Sequence, residues 1–381
     1  RDERRQVALL GVVALLLAVL VVGGWFNRQF RFPDPTTWER GRLISEAYDP
    51  PTDKVGLYLN QGDGQLFATH AQDPFIERPE RLSGGPAEQA YRFQRPLYGW
   101  MGWMASGGSP GAAGGALVVL TVLSVPLLVI ATALTCLRLG WSPVWGLAVV
   151  TAPGVLADLL RCGPEILGSA LVAVGLGAWL GRPRRVPVAI AAFALAGLAR
   201  ETLLLVPVAL FAIEWWLAHR ASRAGRGAAP TEKPPLVLLG AAVPYVLWVV
   251  VLRVGLGAWP RGSVENRLSL VPFGGLVDAM GAWRSDEWIS FAVIAVTAIA
   301  GLVLGRDPVM RLLVAAHVLL AAGLGEAVWL RWLDFGRVLL PLSLVGVLAL
   351  ASRARCEHAS PEVAEDGDVA VRVPIASVGR P

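Results

Sequence analysis

Residues 7–24 read VALLGVVALLLAVLVVGG, eighteen positions without a charge or a hydrogen-bonding side chain. As a helix rising 1.5 Å per residue, the run covers roughly 27 Å, close to the ~30 Å hydrocarbon core of a bilayer. Comparable runs recur at about 114–135, 144–160, 165–181, 186–199, 202–217, 236–254, 290–305, 311–328 and 338–352. They are too long for barrel strands, and lipid-facing backbone must satisfy its own hydrogen bonds. The expected fold class is therefore all-α and polytopic, with about ten transmembrane helices. Composition agrees: the 381 residues are 55% hydrophobic and only 17% charged, where a soluble domain carries about 25%. Mean hydropathy is +0.55.

The net charge of +5 does not signal nucleic acid, because the basic residues sit in short loops between apolar runs. RPRR (182–185), HRASRAGRGAAPTEKPP (219–235), RDPVMR (306–311) and SRAR (352–355) place those loops in the cytoplasm by the positive-inside rule. Both termini are then cytoplasmic. Residues 1–26 form an uncleaved first transmembrane helix, since the exit GGWFNRQF offers no small-x-small cleavage site. Trp25, Trp141, Trp215, Trp216, Trp288 and Trp332 lie at span ends, as an aromatic belt places them. The pair 186–199 and 202–217 is too long for one span and breaks at Ala199-Arg200-Glu201. Cys136, Cys162 and Cys356 show no metal spacing, and no internal disulfide is expected.

Residues 27–112 make a long extracytoplasmic loop, and its prolines exclude one continuous helix. Its centre, Tyr58 to Tyr98, reads YLNQGDGQLFATHAQDPFIERPERLSGGPAEQAYRFQRPLY. Within it, Gln65 to Gln72 reads as a short helix on the interface, ended by Asp73-Pro74. The transmembrane bundle spans 113–354, with an outer loop at 255–289 polar enough to cap a cavity. The tail 355–381 is acidic in its middle, poor in aromatics and expected to be disordered.

Charge at a membrane edge is costly, which makes it informative. Asp63, His70, Asp73, Arg92, Arg95, Asp158, Arg161, Glu165, Arg200, Glu201, Arg331, Asp334 and Arg337 all fall on the side opposite the basic loops. Asp63 lies between Gly62 and Gly64 and ahead of Gln65. It reads either as a general base reached by close backbone approach or as a plain Gly-Asp-Gly turn. His70 reads as a hydrogen-bonding residue and Asp73 as a helix stop, either of which could also serve a substrate. Arg92 and Arg95 share a face if helical; they offer phosphate-binding forks or snorkel at the head of the second span. Asp158 and Arg161 pair with each other or face a cavity, and the same choice holds for Arg200 and Glu201. Arg331, Asp334 and Arg337 recur every third residue, two arginines around a carboxylate.

Gly-Asp-Gly-Gln at 62–65, the Ala/His-x-x-Asp-Pro-Phe element ending at Phe75, and Arg92-x-x-Arg95-Pro-Leu-Tyr98 together resemble bacterial polytopic glycosyltransferase-like proteins of the GT-C fold. Leu198-Ala199-Arg200-Glu201-Thr202 and Gly336-Arg337-Val338-Leu339-Leu340-Pro341 extend the likeness more loosely. The resemblance implies a plasma-membrane transferase that inverts the sugar carbon. Its donor is a polyprenyl-phosphate sugar and its acceptor a cell-envelope glycan, lipid or protein. It places the catalytic acid at Asp63, with Gln65, His70, Asp73, Arg92, Arg95, Arg200, Glu201, Arg331, Asp334 and Arg337 as candidate substrate contacts. A divalent metal stays open as a cofactor. A transporter or flippase of lipid-linked saccharide, or a non-catalytic envelope-polymer assembly protein, is the alternative.

Overall fold

The computed structural model describes residues 2–27, 54–59, 63–79, 84–223, 236–261 and 268–354. The tail from 355, Cys356, Gly62 and most of the first loop before Lys54 lie outside the described residues, as does most of the 219–235 loop. Among the described residues the chain is helical. The first helix, α1 (Asp2–Asn27), leads through the short α2 (Lys54–Leu59) to three helices of the first loop, α3 (Gly64–Gln72), α4 (Pro86–Phe93) and α5 (Pro96–Ala105). The bundle continues with α6 (Pro110–Arg138), α7 (Trp145–Ala148), α8 (Pro153–Arg161), α9 (Glu165–Leu180) and α10 (Val186–Ala199). Then come α11 (Leu205–Arg223), α12 (Val243–Leu256), α13 (Gly274–Met280), α14 (Ser285–Leu304) and α15 (Pro308–Ala322). The chain closes with α16 (Glu326–Trp329), α17 (Trp332–Val338) and α18 (Leu340–Ala351). Proline opens α4, α5, α6, α8 and α15, where its missing N–H costs nothing and its fixed φ suits the first turn.

Among the described residues, five helices are long and apolar enough to cross a membrane: Asp2–Phe26, Pro110–Arg138, Glu201–Arg220, Leu236–Leu256 and Ser285–Leu304. A sixth crossing arises if α17 and α18, bent by 55°, count as one span. Glu165–Leu180, Val186–Ala199 and Pro308–Ala322 are apolar but shorter. The sequence count of ten therefore exceeds what helix length alone supports. The clearest departure is 144–160, which divides into α7, a 3-10 turn (Val149–Thr151) and α8. Pro153 has no N–H to continue the ladder, and the residue before it, Ala152, adopts an extended backbone. The break at Arg200 is where the sequence places it: Arg200 is extended (φ −157°, ψ 126°) between α10 and the turn that opens the next span.

Helix α6 packs between α1 and α9, α9 packs on α10, α18 lies between α14 and α15, and α17 rests on α8. The tight loop 181–185 makes α9 and α10 antiparallel, so Glu165 and Arg200 share one end of the bundle. Arg138 marks the other end, donating to the carbonyls of Gly177 (2.8 Å) and Pro183 (3.0 Å). Ser352 lies there with Arg306 and Asp307, whose N–H groups donate to its hydroxyl.

A second apolar cluster seats the first loop on the bundle. Phe67, Phe93, Tyr98 and Trp248 are all buried in it, and the Trp248 indole donates to the Phe93 carbonyl at 2.8 Å. Helix α3 is accordingly buried along Phe67–Ala71 rather than lying on the interface. The amphipathic pattern that marked it for the interface marks a docked helix equally well. Two belt tryptophans are also interior: Trp25 packs edge-on against Tyr58 and Trp141 is buried. Trp215, Trp216 and Trp288 are exposed, as a belt requires. Replacing Trp248 by Ala should cost about 3–5 kcal/mol and release the loop first. Limited proteolysis within 84–95 is expected to precede cleavage of the bundle, and simultaneous loss of both would contradict this docking.

Candidate functional site

Asp63 sits at the start of α3, yet its carboxylate makes no cap bond to that helix. Gly64 brings it there: a Cβ at this position would lie 3.0 Å from both the Cys162 side chain and the Leu59 carbonyl. The carboxylate turns instead toward the last span, where Arg337 Nη1 donates to its Oδ2 at 3.0 Å. Arg337 is occupied on every side. Its Nε donates to the Leu333 carbonyl (3.1 Å), Nη2 to Asp334 (3.4 Å), and Nη1 also lies 3.9 Å from Glu165.

Other chain regions supply matching pairs. Arg95, at the break between α4 and α5, grips Glu201 with two bonds of 2.7 Å, the planar fork geometry that makes arginine–carboxylate pairs strong. Arg161, the last residue of α8, donates to Asp334 at 3.0 Å. Arg200 pairs with Glu165, and Arg92 pairs with Glu88 one turn away on α4. The extended backbone at Arg200 sends the neighbouring Arg200 and Glu201 to different partners, so they form no local ion pair with each other. Asp158 does not take Arg161 either; its Oδ2 accepts from the Ile166 N–H at 2.8 Å.

These residues surround a cleft of about 360 Å³, lined by Asp63, Glu88, Arg92, Arg95, Arg200, Asp334 and Arg337, a size that fits a small-molecule site. Tyr91, Leu66, Phe67, Ala327, Val328 and Val338 complete the wall. Asp63 and Asp334 are more exposed than the arginines they meet, whereas Glu165 is less exposed than Arg200 and Arg337. Asp63 is 36% exposed against 6% for Arg337, and Asp334 is 30% exposed against 14% for Arg161. The arginines form the floor, Asp63 and Asp334 lie over it, and Glu165 lies beneath it.

Burial alone would raise the Asp63 pKa, but the charges of Arg337, Arg95 and Arg200 and the Arg337 hydrogen bond outweigh it and hold the carboxyl below the usual range. Asp63 is ionised at neutral pH and only weakly basic while Arg337 is bound. Burial likewise works against the charged Arg95, and the Glu201 carboxylate more than reverses this.

Of the residues singled out from sequence, Asp63, Arg92, Arg95, Arg200, Asp334 and Arg337 line the cleft, and Glu201 stands directly behind Arg95. Four others lie elsewhere. His70 is buried against Phe93 and Trp248, with Nε2 3.3 Å from the Pro74 carbonyl. Burial pushes its pKa down to about 4, so it is a neutral core residue. The Asp73 carboxylate accepts from the N–H groups of Glu77 (2.8 Å) and Arg78 (3.1 Å), closing the turn after α3. Gln65 and Arg331 are not part of the cleft lining, and Arg331 is exposed. Its three-residue spacing from Asp334 fails because Arg331 is extended, ahead of α17. Glu88 and Tyr91 were not anticipated, although the four-residue spacing of Glu88 and Arg92 is a signal readable in sequence. Among the described residues no group of three or more His, Cys, Asp or Glu side chains could hold a metal ion.

Comparison with protein-family models, curated proteins and solved structures returned no match. The chain is thus defined by its fold and its cleft: an all-helical protein with five to six helices able to span a membrane and an arginine-floored site at one end. A double-mutant cycle on Arg95 and Glu201 should return a coupling of about 0.5–3 kcal/mol. Additive losses of stability would show the pair to be fortuitous.

Proposed function

We propose that the protein is an integral-membrane glycosyltransferase with a GT-C-like arrangement of about ten crossings. In this reading the three shorter apolar helices, the bent α17–α18 pair and the broken 145–161 segment each traverse the bilayer with the five longer ones. The donor is a polyprenyl-phosphate sugar, and the acceptor is a glycan, lipid or protein of the cell envelope. The cleft faces the outside of a bacterial plasma membrane. One observation carries the reading: Asp63 from the first loop and Arg337 from the last span meet at 3.0 Å in a cleft floored by arginines.

The chemistry follows from those groups. The acceptor hydroxyl oxygen attacks the sugar carbon, and the bond from that carbon to the phosphate oxygen breaks. The phosphate leaves with the electron pair, and Asp63 takes the hydroxyl proton. Arg337, Arg95 and Arg200 offset the negative charge that develops on the leaving group, which is where preorganised cations act most strongly. Asp63 gains basicity in the same event. A phosphate shared by Arg337 and Arg95 removes part of the positive field that depresses the Asp63 carboxyl. Charges gathered at one end favour this over a transport path, which needs them near mid-bilayer.

Purified protein in nanodiscs, given a panel of polyprenyl-phosphate sugars and envelope-glycan acceptors, should transfer sugar, and Asp63→Asn should abolish transfer while folding is retained. Full transfer by that variant removes Asp63 from the role. The pH dependence gives a second check. Arg337 lowers the Asp63 pKa, so Arg337→Gln should move the acid limb of residual transfer to higher pH by ~1–3 units. An unmoved limb assigns that limb to another group.

A further inference from the structure

We infer that Glu165 is a positioning residue of the cleft, holding Arg200 and Arg337 at the spacing needed to grip one phosphate group from two sides. The inference rests on the reading of the cleft as a phosphate-ester site. Glu165 is buried, 2% exposed, and is not part of the cleft lining. It reaches both arginines from behind, pairing with Arg200 and lying 3.9 Å from Arg337. The two arginines come from different helical segments and both line the cleft. Two buried guanidinium groups repel each other, and an uncompensated buried charge is strongly unfavourable. The carboxylate between them cancels that repulsion and fixes where each fork points.

The turn before α9 is shaped for this task. Cys162 takes the left-handed conformation (φ 53°) at the end of α8, and Gly163-Pro164 leads directly into Glu165. A Cβ on Gly163 would lie 1.9 Å from Asp158 Oδ1 and 2.4 Å from Glu165 Oε2, so only glycine lets the two carboxylates flank the turn. Asp158 in turn accepts the Ile166 N–H at 2.8 Å. That bond anchors the first turn of α9 and with it the backbone that carries Glu165. Glu165 Oε2 itself has no hydrogen-bond partner. Its Oε1 likewise makes no hydrogen bond and meets Arg200 and Arg337 through charge alone; a buried carboxylate so placed is poor for stability, and its contact with two cleft arginines accounts for its place here.

The test uses full-length protein in nanodiscs and calorimetric titration with farnesyl phosphate, with farnesol as the uncharged control. Wild-type protein should bind the phosphate in preference to the alcohol. Glu165→Gln should weaken phosphate binding by roughly tenfold without changing the response to farnesol, and Glu165→Asp should recover most of the loss. In the Arg200→Gln background, Glu165→Gln should add little, because with one arginine of the grip removed no spacing between the two is left for Glu165 to set; Arg337 keeps Asp63 and Asp334 as partners. The double variant also restores the charge balance and serves where Glu165→Gln alone does not fold. Wild-type preference for the phosphate with undiminished binding by Glu165→Gln overturns the positioning role alone. So does a double variant that binds tenfold worse than Arg200→Gln. Failure of wild-type protein to distinguish phosphate from alcohol overturns the phosphate reading of the cleft and this inference with it.

Discussion

Asp63 and Arg337 are 274 residues apart in the chain and 3.0 Å apart in space. Their pairing closes the first loop onto the last span, and the surrounding cluster obeys the same constraint. Charge removed from water must be matched, because the desolvation cost of a lone buried ion exceeds what packing can return. Arg92, Arg95, Arg161, Arg200 and Arg337 meet Glu88, Glu201, Asp334, Glu165 and Asp63. The backbone bends to allow it. Cys162 turns left-handed, Arg200 is extended, and α17 meets α18 at 55°. Each irregularity falls at this end, where a continuous helix would carry the side chain past its partner.

Matching also sets what a ligand of the cleft must displace. Asp63 and Asp334 cover Arg337 much as phosphate oxygens would, so an anionic ligand competes with internal groups rather than filling a bare cationic pocket. Selectivity follows from that competition. A carboxylate gains little over the carboxylate it displaces, whereas a phosphate ester presents tetrahedrally arranged oxygens to forks that converge from several elements. The same exchange frees Asp63 from its tightest cation. In the proposed reaction, donor binding and base activation are then one electrostatic event.

What could be read from sequence was local. The break at Arg200 was legible because a charged dipeptide interrupts an apolar stretch longer than the bilayer, and the end of α3 because Asp73 precedes a proline. The gathering of acids and arginines at one end was legible from topology alone. Their pairing was not: partners such as Arg161 and Asp334, or Arg95 and Glu201, are more than a hundred residues apart, and no periodicity encodes which meets which. His70 shows the converse error. Its position near Asp63 in the chain placed it in the site, but six residues of helix turn it into the core against Trp248. The 144–160 run is not one continuous helix, because hydropathy counts apolar residues and is blind to the N–H that Pro153 lacks.

The two ends of the bundle bear on where the reaction would occur. Arg138, Arg184 and Arg306 collect at the end away from the cleft, where Arg138 donates to the Gly177 carbonyl, Arg184 pairs with Glu214 and the Arg306 N–H donates to the Ser352 hydroxyl; in the proposed reading, by the positive-inside rule, that end faces the cytoplasm. With that proposed orientation the cleft opens on the side where nucleotide-activated sugars are not supplied. In the proposed reading a sugar donor would then arrive already joined to a carrier that resides in the membrane, with the energy of transfer held in its own glycosyl–phosphate bond. An arginine floor at a helix-end cleft, walled by Phe67, Val328 and Val338, suits such a carrier: the cations take the phosphate, and the apolar wall takes the first units of its lipid.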